Sequence, residues 1–547
     1  MAAWVLADKG LRVLMLEAGR RYDPYRETPM FALNRDAPLR GEATPEKPFG
    51  YYDATVDGGW QVPGEPYSSA PGSEFLWWRS RMLGGRTNHW ARNSFRMGPY
   101  DFKPKSRDGL GVDWPIAYDD LAPYYDRTES VVGVFGRNDG LENHPDSGPG
   151  VLHDPPAPRV GELLIQAACK DLGLPCVPSR RAVLTRPIGN RSACFYATSC
   201  GRGCSIGAAF QTTTSLIPLA LATGRLTIRT DAMVHEVTVD GRGKAEGVSF
   251  IDRKTGGEER ATGRVIVLAA SACETARILL NSKSAAFPDG LANSSGQVGR
   301  NLMDTVGAAM GAQFPVLENR PSYNEDGTHG LHVYIPFWLY KEQARGELDF
   351  PRSYHYELGA DGRREPGLDM GNLASFAGGY GKKLKADIRR YYGSFMHFVC
   401  RGEMIPNAGS YCEIDPATKD RWGIPTLRFH FRWSEHELNM VRHFQRQTRE
   451  LIDRMGGKID WGGDLTPEQA ISKGGEIIHE VGTTRMGDNR ETSVTNQYGQ
   501  TWDVDNLFIT DGGVFASKAH KNPTLTIMAL AWRSSDRLAD QLGKRNL

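Results

Sequence analysis

Two short stretches hold residues that could take a proton and steady an oxygen. They are Ile478-His479-Glu480-Val481-Gly482-Thr483-Thr484-Arg485-Met486-Gly487 and Ala519-His520-Lys521-Asn522-Pro523-Thr524-Leu525-Thr526. An imidazole in a glycine-bounded turn is a candidate general base. A carboxamide on a polar hook is a candidate donor to an oxygen that gathers charge. If both met over a flat redox ring, His479 could take the proton of an alcohol and Asn522 could hold the oxygen while hydride leaves the carbon. Asparagine does not titrate, so one histidine pKa would shape the acid side of the rate profile.

A third stretch, Cys194 to Cys204, has the spacing C-x₅-C-x₃-C in a glycine-rich loop, with Cys200 between them. Three thiolates on such backbone could hold an iron–sulfur cluster. Zinc normally takes four ligands, and no fourth Cys or His lies nearby. A disulfide plus one free thiol, or three buried thiols, suits the same spacing. A fourth stretch, Trp77 to Ala91, contains Gly84-Gly85-Arg86-Thr87-Asn88-His89. A glycine pair followed by small polar groups suits backbone laid against a flat ligand. His89 there fits a covalent flavin tether, a hydrogen-bonding group or a packed side chain.

These stretches need elements to position them. Residues 1–9 read as the end of a helix with Gly10 after it. Leu11–Glu17 reads as a buried parallel strand closed by an acid, the back half of a βαβ nucleotide fold in which that acid meets ribose hydroxyls. The front half, a strand and a Gly-x-Gly-x-x-Gly turn that seats a pyrophosphate, is not in the sequence. Helices are expected near 114–134, 160–172 and 211–222, and strands at Leu226–Thr230, Met233–Val237 and Arg264–Ala270. The last of these runs through small residues into a helix from about Ala276. From about 311 to 465 the texture becomes that of half-buried antiparallel strands, as in Leu331–Ile335 and Arg428–Trp433. Ser434 and Glu437 form a capping box for a helix that Gly456 stops. Asn506–Gly513 is a strand ending in Asp511-Gly512-Gly513, and a closing helix follows Asn522-Pro523. The expected division is a discontinuous nucleotide-binding domain over 1–110, 205–310 and 466–547. An insert over 111–204 carries the cysteine loop, and a sheet-based roof covers 311–465.

The bulk properties exclude several classes. With 547 residues, the chain can build two or more domains. A net charge of +1 offers no bulk attraction for nucleic acid or an anionic membrane. There is no 18-residue apolar run to span a bilayer. Asp8 and Lys9 interrupt the first apolar run, so the N-terminus does not read as a signal peptide. Eight cysteines are too few for a disulfide scaffold of this size.

Taken together, Val13–Gly19, Gly84–Trp90, Val265–Leu280, His479–Gly487 and Asp511–Thr526 resemble the glucose–methanol–choline (GMC) oxidoreductases. The resemblance implies an α/β chain with a Rossmann-like FAD-binding domain of the glutathione-reductase type, here N-terminally incomplete. It also implies an inserted antiparallel-sheet substrate domain and oxidation of a sugar or glycoside CH–OH group. His479 and Asn522 fall on the catalytic pair. Glu17 falls on the ribose-binding acid, and Gly85, Asn88 and His89 on the segment facing the flavin ring. Val234 falls on the adenine contact, and Ala270, Asp511, Gly512 and Thr524 on further cofactor-binding positions. His520 falls behind the pair. The cysteine loop resembles that of the bacterial FAD-dependent glucose and glucoside dehydrogenases. This implies a [3Fe-4S] cluster on Cys194, Cys200 and Cys204, a small chaperone-like partner subunit, a cytochrome c acceptor and a periplasmic location, with a cytoplasmic one as the alternative. A similar segment in the pyranose oxidases carries a histidine bonded to flavin, which would make His89 the tether and oxygen the acceptor. The absent Gly-x-Gly-x-x-Gly is the departure from the family pattern.

Overall fold

The computed structural model describes residues 1–28, 36, 38–42, 44, 58–195, 200–320, 331–359 and 370–547. Most apolar segments pack where their periodicity sends them. Helix Ala2–Asp8 ends with Gly10 at φ 83°, a conformation glycine reaches without a Cβ clash. Strand Val13–Leu16 follows and pairs in parallel with Leu226–Arg229, with Val13 opposite Leu226. A second parallel pair joins Ile266–Leu268 to Leu507–Ile509. The two pairs face one small apolar cluster: Leu11 and Val13 from the first, and Val265, Val267 and Phe508 from the second, meet Leu6 and Leu538. Beside them, Ala232–Val239, Ala245–Asp252 and Glu258–Thr262 make an antiparallel three-stranded sheet. The closing helix, Thr524–Gly543, packs on Tyr118–Val132, where the Tyr125 hydroxyl meets Thr526 Oγ1 at 2.8 Å.

The roof is a six-stranded antiparallel sheet in the order Lys458–Trp461, Val306–Gln313, Phe395–Gly402, Tyr354–Gly359, Val333–Ile335, Val177–Pro178. Alternation gives it two faces. Met310, Tyr354, Tyr356, Leu358, Phe398 and Cys400 pack under the helix Glu435–Arg454 against Met440, Val441, Phe444 and Leu451. That helix begins at the expected box, where Glu437 Oε2 accepts the Ser434 N–H at 2.7 Å, and Gly456 at φ 70° follows its end.

Two strands sit elsewhere than their periodicity alone suggests. Pro425–His430, which overlaps the expected Arg428–Trp433 strand only at Arg428–His430, lies outside the roof sheet. It pairs antiparallel with Tyr411–Lys419 and parallel with Ser68–Ser69. Val177–Pro178, from the segment read as an insert, supplies a roof edge. Alternation specifies a half-buried strand but not which sheet it joins. Among the described residues, no helix is long and apolar enough to cross a membrane.

Candidate active site

His479 follows Ile478, a β-branched residue held at φ 64°. That left-handed conformation is strained and persists only where the surroundings over-determine it. Here they do. The His479 N–H donates to Asp304 Oδ1 at 3.0 Å, and Val481 bridges antiparallel to Met303. The N–H groups of Gly482, Thr484 and Met486 donate to the carbonyls of Gly512, Gly513 and Val514. Gly482 has φ 96°, and a Cβ there would lie 2.2 Å from the Asn301 carbonyl oxygen. From the other side, Arg86 donates to the Glu480 carboxylate and to the carbonyls of Ile478 and Trp78. The turn, the start of strand Val306–Gln313, the Gly84–His89 segment and the Asp511–Val514 turn are thus locked together.

The His479 ring is half-buried, and its Nδ1 lies 2.9 Å from Thr305 Oγ1. Burial first, then the positive charges of Lys518 and Arg401, hold its pKa well below 6.5, so the ring is neutral; only Glu357 opposes them strongly. Asn522 is 6% exposed, and its amide oxygen has no hydrogen-bond partner among the described residues. Leaving such an atom unpaired costs about 1–3 kcal/mol, the mark of a group kept for a ligand or a water. Lys518, in the same loop, is fully buried; burial lowers its pKa to about 8. Its ammonium donates to the Ala519 and Lys521 carbonyls at 3.0 and 2.8 Å, which curls the loop ahead of Asn522.

The residues expected around a dinucleotide divide into two sets. Glu17 ends its strand with Oε1 accepting the Gly19 N–H at 2.6 Å, and burial raises its pKa to about 7. Ala270 lies exposed at the carboxyl end of Ile266–Leu268, where ligands of parallel sheets bind. Gly85 at φ 51° faces open space. Val234 is half-buried beside a bulge between Val234 and Glu236. Gly512 opens a short 3₁₀ turn, and Thr524 begins the closing helix. Asn88 and Asp511 are instead used by the protein. Asn88 is 0% exposed and ties Leu83 to Thr213. The Asp511 carboxylate accepts from Gly513 N–H, Ser271 N–H and the Thr275 hydroxyl, joining the ends of two parallel strands. His89 is neutral, because burial and then Arg92 and Arg86 lower its pKa to about 3, and its Nε2 lies 2.7 Å from Ser80 Oγ.

The three loop cysteines share one small apolar cluster with Phe135, Val183, Ala208 and Ala209. Among the described residues no cysteine is joined to another in a disulfide, so the disulfide reading of this loop does not hold. Residues 196–199 of the loop lie outside the described residues, among which no group of three His, Cys, Asp or Glu side chains is arranged to hold a metal ion. The fully buried Arg92 donates to the carbonyls of Asn88, Trp90 and Cys200 and so joins the cysteine loop to the segment carrying His89.

Residues 62–306 and 406–531 match the two family models described as GMC oxidoreductase, which together span more than half of the chain. The chain belongs to the GMC oxidoreductase family. It is 32% identical over 460 residues to the 2-methyl-1,2-propanediol dehydrogenase of Mycolicibacterium austroafricanum, covering 83% of this chain and 80% of that one. It is 28% identical to the fructose dehydrogenase large subunit of Gluconobacter japonicus, with 84% and 80% covered. Pyridoxine 4-oxidase from Mesorbium loti has a similar fold, with a TM-score of 0.60 at 17% identity over 98% of this chain and 96% of that one. The family binds FAD and oxidises CH–OH groups of alcohols and sugars, so the expected α/β flavoprotein fold and oxidoreductase class hold for this GMC oxidoreductase.

The roof adds residues that motif reading missed. Arg401, His355 and Glu357 lie on the sheet face opposite the helix, with His355 paired in register with Arg401. Thr305 and Lys518 were missed as well. One signal was available: polar residues at every second position of Tyr354-His355-Tyr356-Glu357, a pattern that sends two ionisable groups to one face of a strand.

Proposed function

We propose that this GMC oxidoreductase oxidises a secondary or primary CH–OH group of a sugar, glycoside or small polyol, with His479 as base and Asn522 as the group that holds the reacting oxygen. The observation that carries this reading is the strained, doubly clamped turn that presents a neutral imidazole, while a buried carboxamide whose oxygen has no partner among the described residues sits just ahead of the closing helix. With Nδ1–H donating to Thr305, His479 keeps a lone pair on Nε2 for the hydroxyl proton. The Asn522 amide N–H then steadies the oxygen as charge grows on it.

The residues present fit a flavin: the strand end at Ala270 is exposed, a Cβ at Gly85 would meet nothing, and the Asn522 amide oxygen has no partner among the described residues. Glu17 would hold the ribose, Val234 the adenine, and Gly85, His89, Gly512 and Thr524 the ring and ribityl side. FAD, when bound, accepts the hydride from the alcohol carbon. Asp511 and Asn88 serve by shaping backbone, because their polar atoms are already engaged.

Cys194, Cys200 and Cys204 would hold an iron–sulfur cluster, as the resemblance to the glucose dehydrogenases implies. Support comes from the soft donor set and from the buried Arg92, which donates to the Cys200 carbonyl at 2.7 Å and holds the loop in place. A cluster there would pass electrons one at a time to a cytochrome c, in a periplasmic complex with a small subunit. A relative named as a dehydrogenase large subunit supports further subunits, whereas relatives named as oxidases support oxygen as acceptor. Iron analysis and peroxide output separate the two: iron with dye reduction supports the dehydrogenase, while iron-free protein making peroxide quickly defeats it. For the base, His479→Ala should keep the flavin spectrum and lose flavin reduction by fructose or 2-methyl-1,2-propanediol. Undiminished reduction in that variant would remove the assignment.

A further inference from the structure

Strand Tyr354–Gly359 puts two ionisable side chains, His355 and Glu357, on the face away from its helix, both fully buried. Glu357 Oε1 lies 3.3 Å from His355 Nε2, and His355 Nδ1 lies 2.9 Å from His520 Nδ1. His520 Nε2 is buried and has no partner among the described residues. Proton bookkeeping settles this chain. Burial alone would raise the Glu357 pKa, but the His355 hydrogen bond and Arg401 overcome it and hold it at about 2, so the group is a carboxylate and can only accept. His355 Nε2 must therefore donate. His355 is neutral, because burial lowers its pKa, so its Nδ1 carries the lone pair. The short Nδ1–Nδ1 contact then requires His520 to donate from Nδ1. His520 is neutral for the same reason, which leaves the lone pair on its Nε2.

We propose that Glu357 is a positioning residue of the active site: through His355 it fixes His520 in the Nδ1–H tautomer and so holds the loop that presents Asn522. The inference rests on the proposed His479–Asn522 site for its link to rate, but not for its tautomer. An orienting carboxylate behind an imidazole is worth far more in rate than in stability, because the wrong tautomer offers the wrong atom. Glu357 also acts by charge on His479. The groups that face His479 from its neighbours are Asp304 and Thr305 at the start of one roof strand, Arg401 and Glu357 on two others, Lys518 on the loop and Arg86 on the Gly84–His89 segment. Glu357 opposes the three cations, so removing its charge makes His479 harder to protonate.

The test uses the full chain with histidine labelled by ¹⁵N, and then the FAD-loaded enzyme. In the wild type, His520 should show the nitrogen shifts of an Nδ1-protonated, neutral ring. In Glu357→Gln, whose amide can donate to His355 Nε2, the chain is free to reverse, and the His520 signal should move toward Nε2–H. In anaerobic flavin reduction by fructose or 2-methyl-1,2-propanediol, Glu357→Gln should lower the limiting rate by about tenfold or more. KM should stay within about threefold, and the acid limb should move to lower pH. An Nε2-protonated His520 in the wild type overturns the proposal even if the variant does not fold. So does a folded Glu357→Gln protein with the wild-type tautomer, rate and acid limb. If His479→Ala also keeps its activity, the proposed site has failed; if His479→Ala is dead and the tautomer is wrong, only the positioning role has.

Discussion

The two faces of strand Tyr354–Gly359 meet different chemistry within about 3.4 Å of backbone, the rise of one strand residue. On one face, Tyr354, Tyr356 and Leu358 join a dry core, and each tyrosine hydroxyl is satisfied: Tyr354 by His443 Nδ1 at 2.9 Å and Tyr356 by Thr448 Oγ1 at 3.1 Å. On the other, His355 and Glu357 are equally buried, yet they end in a chain whose last nitrogen has no partner among the described residues. Burial is therefore the same on both faces, and satisfaction is what differs. Natural cores pair their buried polar groups, so unpaired ones gather where a ligand or a reaction needs them. The strained Ile478 precedes His479, and the unpaired Asn522 amide oxygen follows His520 by two residues.

The contrast predicts that changes on the site side cost rate at constant stability, and changes on the helix side cost stability at constant rate. The largest effect is expected at His479: alanine there should slow flavin reduction about 10²–10⁴-fold with an unchanged melting temperature. In the wild type the acid limb should lie below pH 6.5, because a pKa held below that value leaves the base unprotonated until the pH falls through it. Asn522→Ala should follow, at about 10²–10³-fold in limiting rate. A rise in KM alone, with the limiting rate kept, would move Asn522 out of the reacting geometry.

On the helix side, Leu358→Ala removes a fully buried side chain and should destabilise by about 2–5 kcal/mol in denaturant melts, with the rate per folded molecule unchanged. Tyr354→Phe deletes one hydroxyl from its pair with His443 and should cost about 0.5–1.5 kcal/mol, again without a change in rate. A rate loss from either, in protein shown to be folded, would mean that the two faces are coupled through the strand.

Much of the layout was legible because local chemistry decides it. Gly10, Ser434 with Glu437 and Gly456 mark helix ends through backbone geometry and capping that depend on a few neighbouring residues. The apolar runs at Val13–Leu16 and Ile266–Leu268 read as parallel strands because they are continuous and do not alternate with polar residues, and both do pair in parallel, although Leu14 stays exposed. Partner choice was not legible. Pro425–His430 alternates as the roof strands do yet joins Ser68–Ser69, and nothing in its own residues says so. The same limit hid the inward polar atoms of Asn88 and Asp511, whose partners lie far along the chain at Thr213 and Thr275.

By itself, the sequence determined the chemical types: a histidine in a glycine-bounded turn, an asparagine before a proline-led helix, and three thiols in one loop. These depend on residue identity and short spacing. The tertiary structure alone decided which protons those groups carry and what stands behind them. Neutral imidazoles, an ionised Glu357 and a directed His355–His520 contact follow from burial and from charges brought in by other strands and loops, and no local pattern encodes that desolvation.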